Sequence, residues 1–184
     1  MAAFQSTCMA LYKDKFRVET VRAEWIDYSD GVFFITICTH DKRHLLGHVN
    51  EGVMQLSKVG VIVEKCISRI ADSHTQCRLW NHVVMPNHVH LLIQVNKGKA
   101  ESDSCDQPTN DNVMSQIAAH CGKVSHIVGQ FKAAVTREAH TAGLEMAWQT
   151  RFHDHMVRNY DELCYINQYI VTNPANWSQD VLSK

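Results

Sequence analysis

Residues 77–95 read Cys-Arg-Leu-Trp-Asn-His-Val-Val-Met-Pro-Asn-His-Val-His-Leu-Leu-Ile-Gln-Val. The runs Cys77 to Met85 and His88 to Val95 are strand-like, and the turn formers Pro86-Asn87 lie between them. This pattern predicts a hairpin or a sharply bent pair of strands. In the second run a single apolar residue separates His88 from His90. Side chains alternate faces along a strand, so the two imidazoles point the same way while Val89 points into the core. Two imidazoles on one face form a platform for a divalent cation. The same pattern also suits two polar residues on the solvent face of an edge strand, and an H-x-H alone does not decide between them. His82 reads as a structural histidine with its hydrogen bonds satisfied.

Working outward, Val32 to Thr39 (VFFITICT) is dense in β-branched and aromatic residues and predicts a strand. His40 to Asn50 is a charged connection. From Glu51 to Ile70, apolar residues recur at three- and four-residue steps, which predicts an amphipathic helix despite Gly60. Val113 to His140 is helical in pattern, with a break expected near Gly122 or Gly129. Trp148 to Val157 suits a short edge strand, and Asp161 to Thr172 a final helix that Pro174 stops. The order strand, helix, strand, strand, helix, strand, helix implies an α+β sandwich. Its simplest form is a ferredoxin-like βαββαβ core with an additional C-terminal helix. The expected organisation is an N-terminal arm over 1–30, a single domain over 31–177 and a C-terminal tail over 178–184.

The chain has 184 residues, 45% hydrophobic and 20% charged, which excludes wholesale disorder. No apolar run approaches the ~18 residues of a membrane span, and the first residues lack a signal peptide's pattern. Seven scattered cysteines with no C-x-x-C pair point to reduced thiols in a cytoplasmic protein, several of them buried, and argue against a cysteine-pair zinc site. The net charge of -1 lacks the basic excess of many nucleic-acid binders. Part of the acidity lies in the polar insert 96–112, which holds two lysines and four acidic residues and cannot bury a core.

The stretch Tyr165-Ile-Asn-Gln-Tyr169-Ile-Val-Thr-Asn173-Pro174 places Tyr165, Tyr169 and Asn173 on one helix face. A phenol beside an amide oxygen, opposite a two-histidine platform, would be a nucleophile next to the ion that activates its target. Without the histidine pair, a tyrosine merely packed on the sheet with its hydroxyl bonded would be the better reading of this helix pattern.

Several motifs occur in one order: Trp25 to Tyr28 with Gly31-Val-Phe-Phe-Ile-Thr-Ile37, then His82 to Leu92, Gly129-Gln-Phe-Lys132, Trp148-Gln, His155-Met-Val-Arg-Asn159 and Tyr169-Ile-Val-Thr-Asn-Pro174. In this the chain resembles the single-tyrosine HUH transposases (the insertion-sequence, IS200-like class), and most of all the branch associated with repetitive extragenic palindromes. The resemblance runs from about Leu11 to Trp177, interrupted by the insert.

The resemblance implies that His88 and His90 bind metal, that Tyr169 is the nucleophile and that Asn173 completes the metal site, with Tyr165 the alternative nucleophile. It implies a DNA transposase that cleaves and rejoins single-stranded, hairpin-containing DNA through a 5′-phosphotyrosine, with Mg²⁺ or Mn²⁺ as cofactor. It leaves open a monomer or a homodimer with exchanged helices. DNA contact then falls to basic residues outside the insert: Arg17, Arg22, Lys123, Lys132, Arg137, Arg151 and Arg158. Trp25, Tyr28 and Trp148 are candidates for stacking on bases, with core or loop packing the first reading for Trp148. Two rivals stand beside this reading: a non-catalytic, domesticated DNA-binding module, and a small metal-dependent hydrolase built on the histidine pair.

Overall fold

The computed structural model of the chain describes residues 30–96 and 122–183. The arm, with Arg17, Arg22, Trp25 and Tyr28, lies outside the described residues, as does nearly all of the insert.

Strand β1 (Gly31–Cys38) is buried from Phe33 onward, as its β-branched and aromatic run requires. Connections downstream differ from the sequence expectation. The long helix expected from Glu51 is a hairpin followed by a shorter helix. Strands β2 (Gly47–Asn50) and β3 (Val53–Leu56) pair antiparallel. Their two-residue turn, Glu51-Gly52, has positive φ at both positions, the mirror-image turn that matches strand twist. Helix α1 begins only at Lys58 (Lys58–Ser68), where the Ser57 hydroxyl caps it by accepting from the Gly60 N–H at 3.0 Å. A single turn, α2 (Ile70–Ser73), follows. Val53, Met54 and Leu56 happen to continue the helical spacing, which hides the hairpin from a periodicity reading.

Gly60 has a specific reason to be glycine. A Cβ there would meet the Leu46 carbonyl oxygen at 2.1 Å, and that carbonyl also accepts the Ser57 N–H at 2.9 Å. Intrinsic propensity favours alanine over glycine in a helix by about 1 kcal/mol, but here the contact dominates. Gly60→Ala is expected to destabilise the protein by about 1–3 kcal/mol, read as a lower urea midpoint at unchanged slope. A midpoint that rises would contradict the tight approach.

Strands β4 (Cys77–Val84) and β5 (His88–Val95) form the predicted antiparallel hairpin across Met85-Pro86-Asn87, closed by Met85 N–H donating to the His88 carbonyl at 2.8 Å. Helix α3 (Gly122–Thr141) runs unbroken through Gly129. The expected edge strand is β6 (His153–Met156), and Trp148 makes only an isolated bridge to Thr39. Helix α4 (Tyr160–Thr172) is capped by Asn159, whose side chain accepts the Glu162 N–H at 2.9 Å, and a 3₁₀ segment (Pro174–Gln179) follows it.

The main sheet has the order β4-β5-β1-β6, with every neighbouring pair antiparallel. Counting only its own strands, this is the ferredoxin-like order, so the fold is the α+β sandwich expected. Alternation splits the sheet into two faces. Phe33, Ile35 and Ile37 of β1 and Val89, Leu91 and Ile93 of β5 pack into one core with α1 and α3. Phe34 and Leu92 face the other way and pack against Ile166 and Ile170 of α4. Of the cysteines in the described residues, Cys38, Cys66 and Cys77 are buried free thiols and Cys164 is exposed. No helix among the described residues is long and apolar enough to cross a membrane.

Candidate active site

Strand β5 is internal, not an edge, and its alternation sends His88 and His90 to the α4 face. Both imidazoles are buried, 0% and 2% exposed, which removes the solvent-face reading of the H-x-H. Opposite them on β1 stand Cys38 and Thr36, by register. The His88 Nδ1–H donates to Asn87 Oδ1 at 2.8 Å, and Asn87 Nδ2 donates to the Leu182 carbonyl at 2.7 Å. Asn87 thereby fixes the His88 tautomer and aims its Nε2 lone pair inward. His90 Nδ1 lies 2.9 Å from the Thr36 hydroxyl, a group that both donates and accepts and so serves either tautomer of His90.

The two Nε2 atoms are 3.1 Å apart. Two ligands of one cation at right angles, each roughly 2.1 Å from it, lie about 3 Å apart, so the pair is spaced for a shared ion. A carboxylate oxygen of Asp180 joins them, with all three ligand atoms within 4.8 Å of one another. Asp180 is held in place: its Oδ1 accepts the Leu182 N–H at 2.7 Å, and its Oδ2 the Asn173 amide at 3.3 Å. The Asn173 Oδ1 is buried with no hydrogen-bond partner, an orphaned acceptor of the kind that a metal or substrate satisfies. Two imidazoles, a carboxylate and an amide oxygen are a donor set that fits a divalent cation.

Burial pushes the His88 pKa down to about 3, with Lys42 adding to the effect. Burial also holds His90 well below the ordinary imidazole range; His88 reinforces this and Asp180 opposes it. Both rings are therefore neutral at pH 7, with lone pairs available. Stability follows from the same shifts. Below pH ~6.5 the unfolded chain's imidazoles take up protons while the folded ones do not, so stability falls as the pH drops from there towards 3. In excess chelator the urea midpoint is expected to fall between pH 7 and pH 5; a flat profile would contradict the neutral buried pair.

Helix α4 carries the phenols. Tyr165, Tyr169 and Asn173 descend one face from solvent into the site: Tyr165 is 57% exposed, Tyr169 37%, and Asn173 is buried. The Tyr169 ring lies edge-on to His90 with centroids 5.4 Å apart, and Phe34 supports both rings, stacked on His90 at 4.9 Å and edge-on to Tyr169 at 6.0 Å. Trp177, in the 3₁₀ segment, comes within 6.0 Å of the His88 ring.

The expected residues His88, His90, Tyr169 and Asn173 thus lie in one neighbourhood of one chain. Asp180 was not anticipated. It is a single acidic residue in an irregular segment, and only the turn made by the 3₁₀ segment brings it to the histidines. The basic candidates are scattered. Lys123, Lys132 and Arg137 belong to α3, on the opposite side of the sheet. The Lys132 ammonium donates to the carbonyls of Gln149, Arg151 and Thr150 at 2.7, 3.3 and 3.4 Å, a strut between α3 and the segment before β6. Lys123 donates to the Asn96 carbonyl at 2.9 Å and to the Gln76 side chain, at the far end of β5 from His88. Arg137 is exposed near Ile62 and Glu138, and Arg151 and Arg158 are exposed on either side of β6. Trp148 packs on Phe131, with ring centroids 5.8 Å apart. His82, as expected, has a partner, the Glu64 carboxylate at 2.6 Å.

No family model matches the chain. It is 32% identical over 169 residues to an uncharacterized protein of Haemophilus influenzae, a match that covers 89% of this chain and 91% of that protein. The chain belongs to that protein's family. Among solved structures it is similar to a REP-associated tyrosine transposase bound to a REP hairpin, with a TM-score of 0.54 at 20% identity. That likeness covers 83% of this chain and 71% of the other. The chain therefore has a transposase-like fold.

Proposed function

We propose that the protein is a tyrosine transposase that cleaves and rejoins single-stranded DNA carrying a hairpin. The observation that carries this reading is the edge-on packing of Tyr169 on His90, beside a cation-fitting donor set, within one chain. The transposase-like fold and the order of the sequence motifs support it.

Tyr169 Oη attacks a backbone phosphorus and gives up its proton, and the bond from phosphorus to the 3′-oxygen breaks. The products are a 5′-phosphotyrosine and a free 3′-hydroxyl. The reverse attack by a 3′-hydroxyl reseals the same strand or joins a new one, with no external energy source, because the covalent link conserves the phosphodiester. His88, His90 and Asp180 would hold the cation, Mg²⁺ or Mn²⁺, with Asn173 Oδ1 beside Asp180 available to it or to substrate. When bound, the cation polarises the scissile phosphate and offsets the charge that builds on it. Asn87 and Thr36 orient the two imidazoles. Phe34 and His90 hold the Tyr169 ring. All these groups come from a single chain, so a monomer suffices, acting on DNA in the cytoplasm.

The test is a denaturing gel after incubating the full chain with hairpin-flanked single-stranded DNA and Mn²⁺. A protein–DNA species that survives denaturation supports the enzyme. Binding without such a species favours the non-catalytic module, and metal binding without DNA binding favours the hydrolase.

A further inference from the structure

The sheet face that bears the histidines continues beyond α4. Along β5 this face presents His88, His90 and Leu92, and then Gln94, whose cross-strand partner is Arg78. Pairing between β4 and β5 shifts register between Leu79 and Asn81, so Trp80 is the extra residue of a bulge. Bulges re-aim a side chain. Here the indole turns onto the Gln94 side, and its Nε1–H donates to Gln94 Oε1 at 3.2 Å. The Arg78 guanidinium lies over the indole, 4.9 Å from the ring centroid. Trp80 nevertheless remains 45% exposed. Gln94 in turn donates to Asn96 Oδ1 at 3.2 Å, and the Lys123 ammonium reaches the Asn96 carbonyl at 2.9 Å.

This is a large aromatic surface held in one orientation by a hydrogen bond and a stacked cation. A π surface beside fixed positive charge suits a nucleobase and its phosphate. The base must be unpaired, because a duplex keeps its faces stacked within itself. Gln94 is four residues from His90 on the same strand, ~13 Å at 3.3 Å per residue, which is within the span of a few nucleotides of a strand bound at the histidines.

We propose that the Arg78–Trp80 pair is a stacking platform for an unpaired base of the DNA strand leading away from the tyrosine site. The proposal rests on the reading of the protein as a single-strand DNA enzyme and adds a site to it.

The test compares two probes of one hairpin, with and without an unpaired flank, by fluorescence anisotropy at fixed salt with the full chain. Trp80→Ala is expected to weaken the flanked probe roughly tenfold to a hundredfold and leave the bare hairpin unchanged, while Trp80→Phe retains most of the affinity. Arg78→Gln, which keeps the Trp80–Gln94 hydrogen bond, is expected to lower the salt slope for the flanked probe by about one. The platform is overturned if Trp80→Ala binds the flanked probe within twofold of the unaltered protein, or loses both probes equally. An unaltered protein that binds the flanked probe but forms no covalent species sinks the phosphotyrosine step alone, and the platform is still judged by the probe comparison. One that binds neither probe overturns both.

Discussion

Tyr169→Phe is expected to reduce covalent capture and cleavage of DNA by at least a thousandfold while leaving DNA affinity within about twofold. The size follows from the role: removing a nucleophile removes the bond-forming atom itself, and such losses run to several orders of magnitude. The selectivity follows from the packing. Phenylalanine keeps the ring that meets His90 and Phe34, so the helix seat and the sheet face beneath it persist. The measurement pairs a denaturing gel with an equilibrium binding curve on the same preparation. If the variant still cuts, the nucleophile is another residue, and Tyr165, one turn earlier and more exposed, becomes the first suspect.

His88→Ala is expected to lose Mn²⁺ affinity and at least a hundredfold in strand cleavage. The change removes a ligand and also strands Asn87 Oδ1, which accepts from the His88 ring. Because that second effect is structural, Asp180→Asn gives the cleaner reading. It preserves size and the oxygen that accepts the Leu182 N–H, deletes the charge that faces the two imidazoles, gives up only the longer bond from the Asn173 amide, and should weaken the cation. Isothermal titration with Mn²⁺ reports the binding, and cleavage in graded metal reports the function: a weakened site recovers activity as metal is raised. Full cleavage in excess chelator would contradict the assigned role of the cation.

How much of this was legible in the sequence depended on the kind of signal. The histidine pair and its face were legible because strand alternation is local and Val89 fixes the phase. The α4 face was legible because Tyr165, Tyr169 and Asn173 step by whole helical turns. The β2–β3 hairpin was not, because Val53, Met54 and Leu56 fall in phase with the helix that follows; the turn pair Glu51-Gly52 and the Ser57 cap were the overlooked marks. Asp180 was invisible because its role is set by a contact across the fold, not by a period. Lys132 resembled a free surface cation, yet its partners are backbone carbonyls 17 to 19 residues away, which no side-chain pattern records. Trp80 sat within an ordinary strand run, and only the bulge reveals where its indole goes.

The facing of Thr36 by His90 and of Cys38 by His88 couples the chemistry to the rest of the fold. Sliding β5 by a single position would aim Val89 at the proposed cation site and bury both imidazoles among the aliphatic side chains beneath α1 and α3. The same displacement that ruins the ion site also ruins the hydrophobic layer, so a mispaired intermediate gains neither. Folding to the correct alignment is thus proofread twice, and the stretch from Met85 to His88 is a poor place for any inserted or deleted residue.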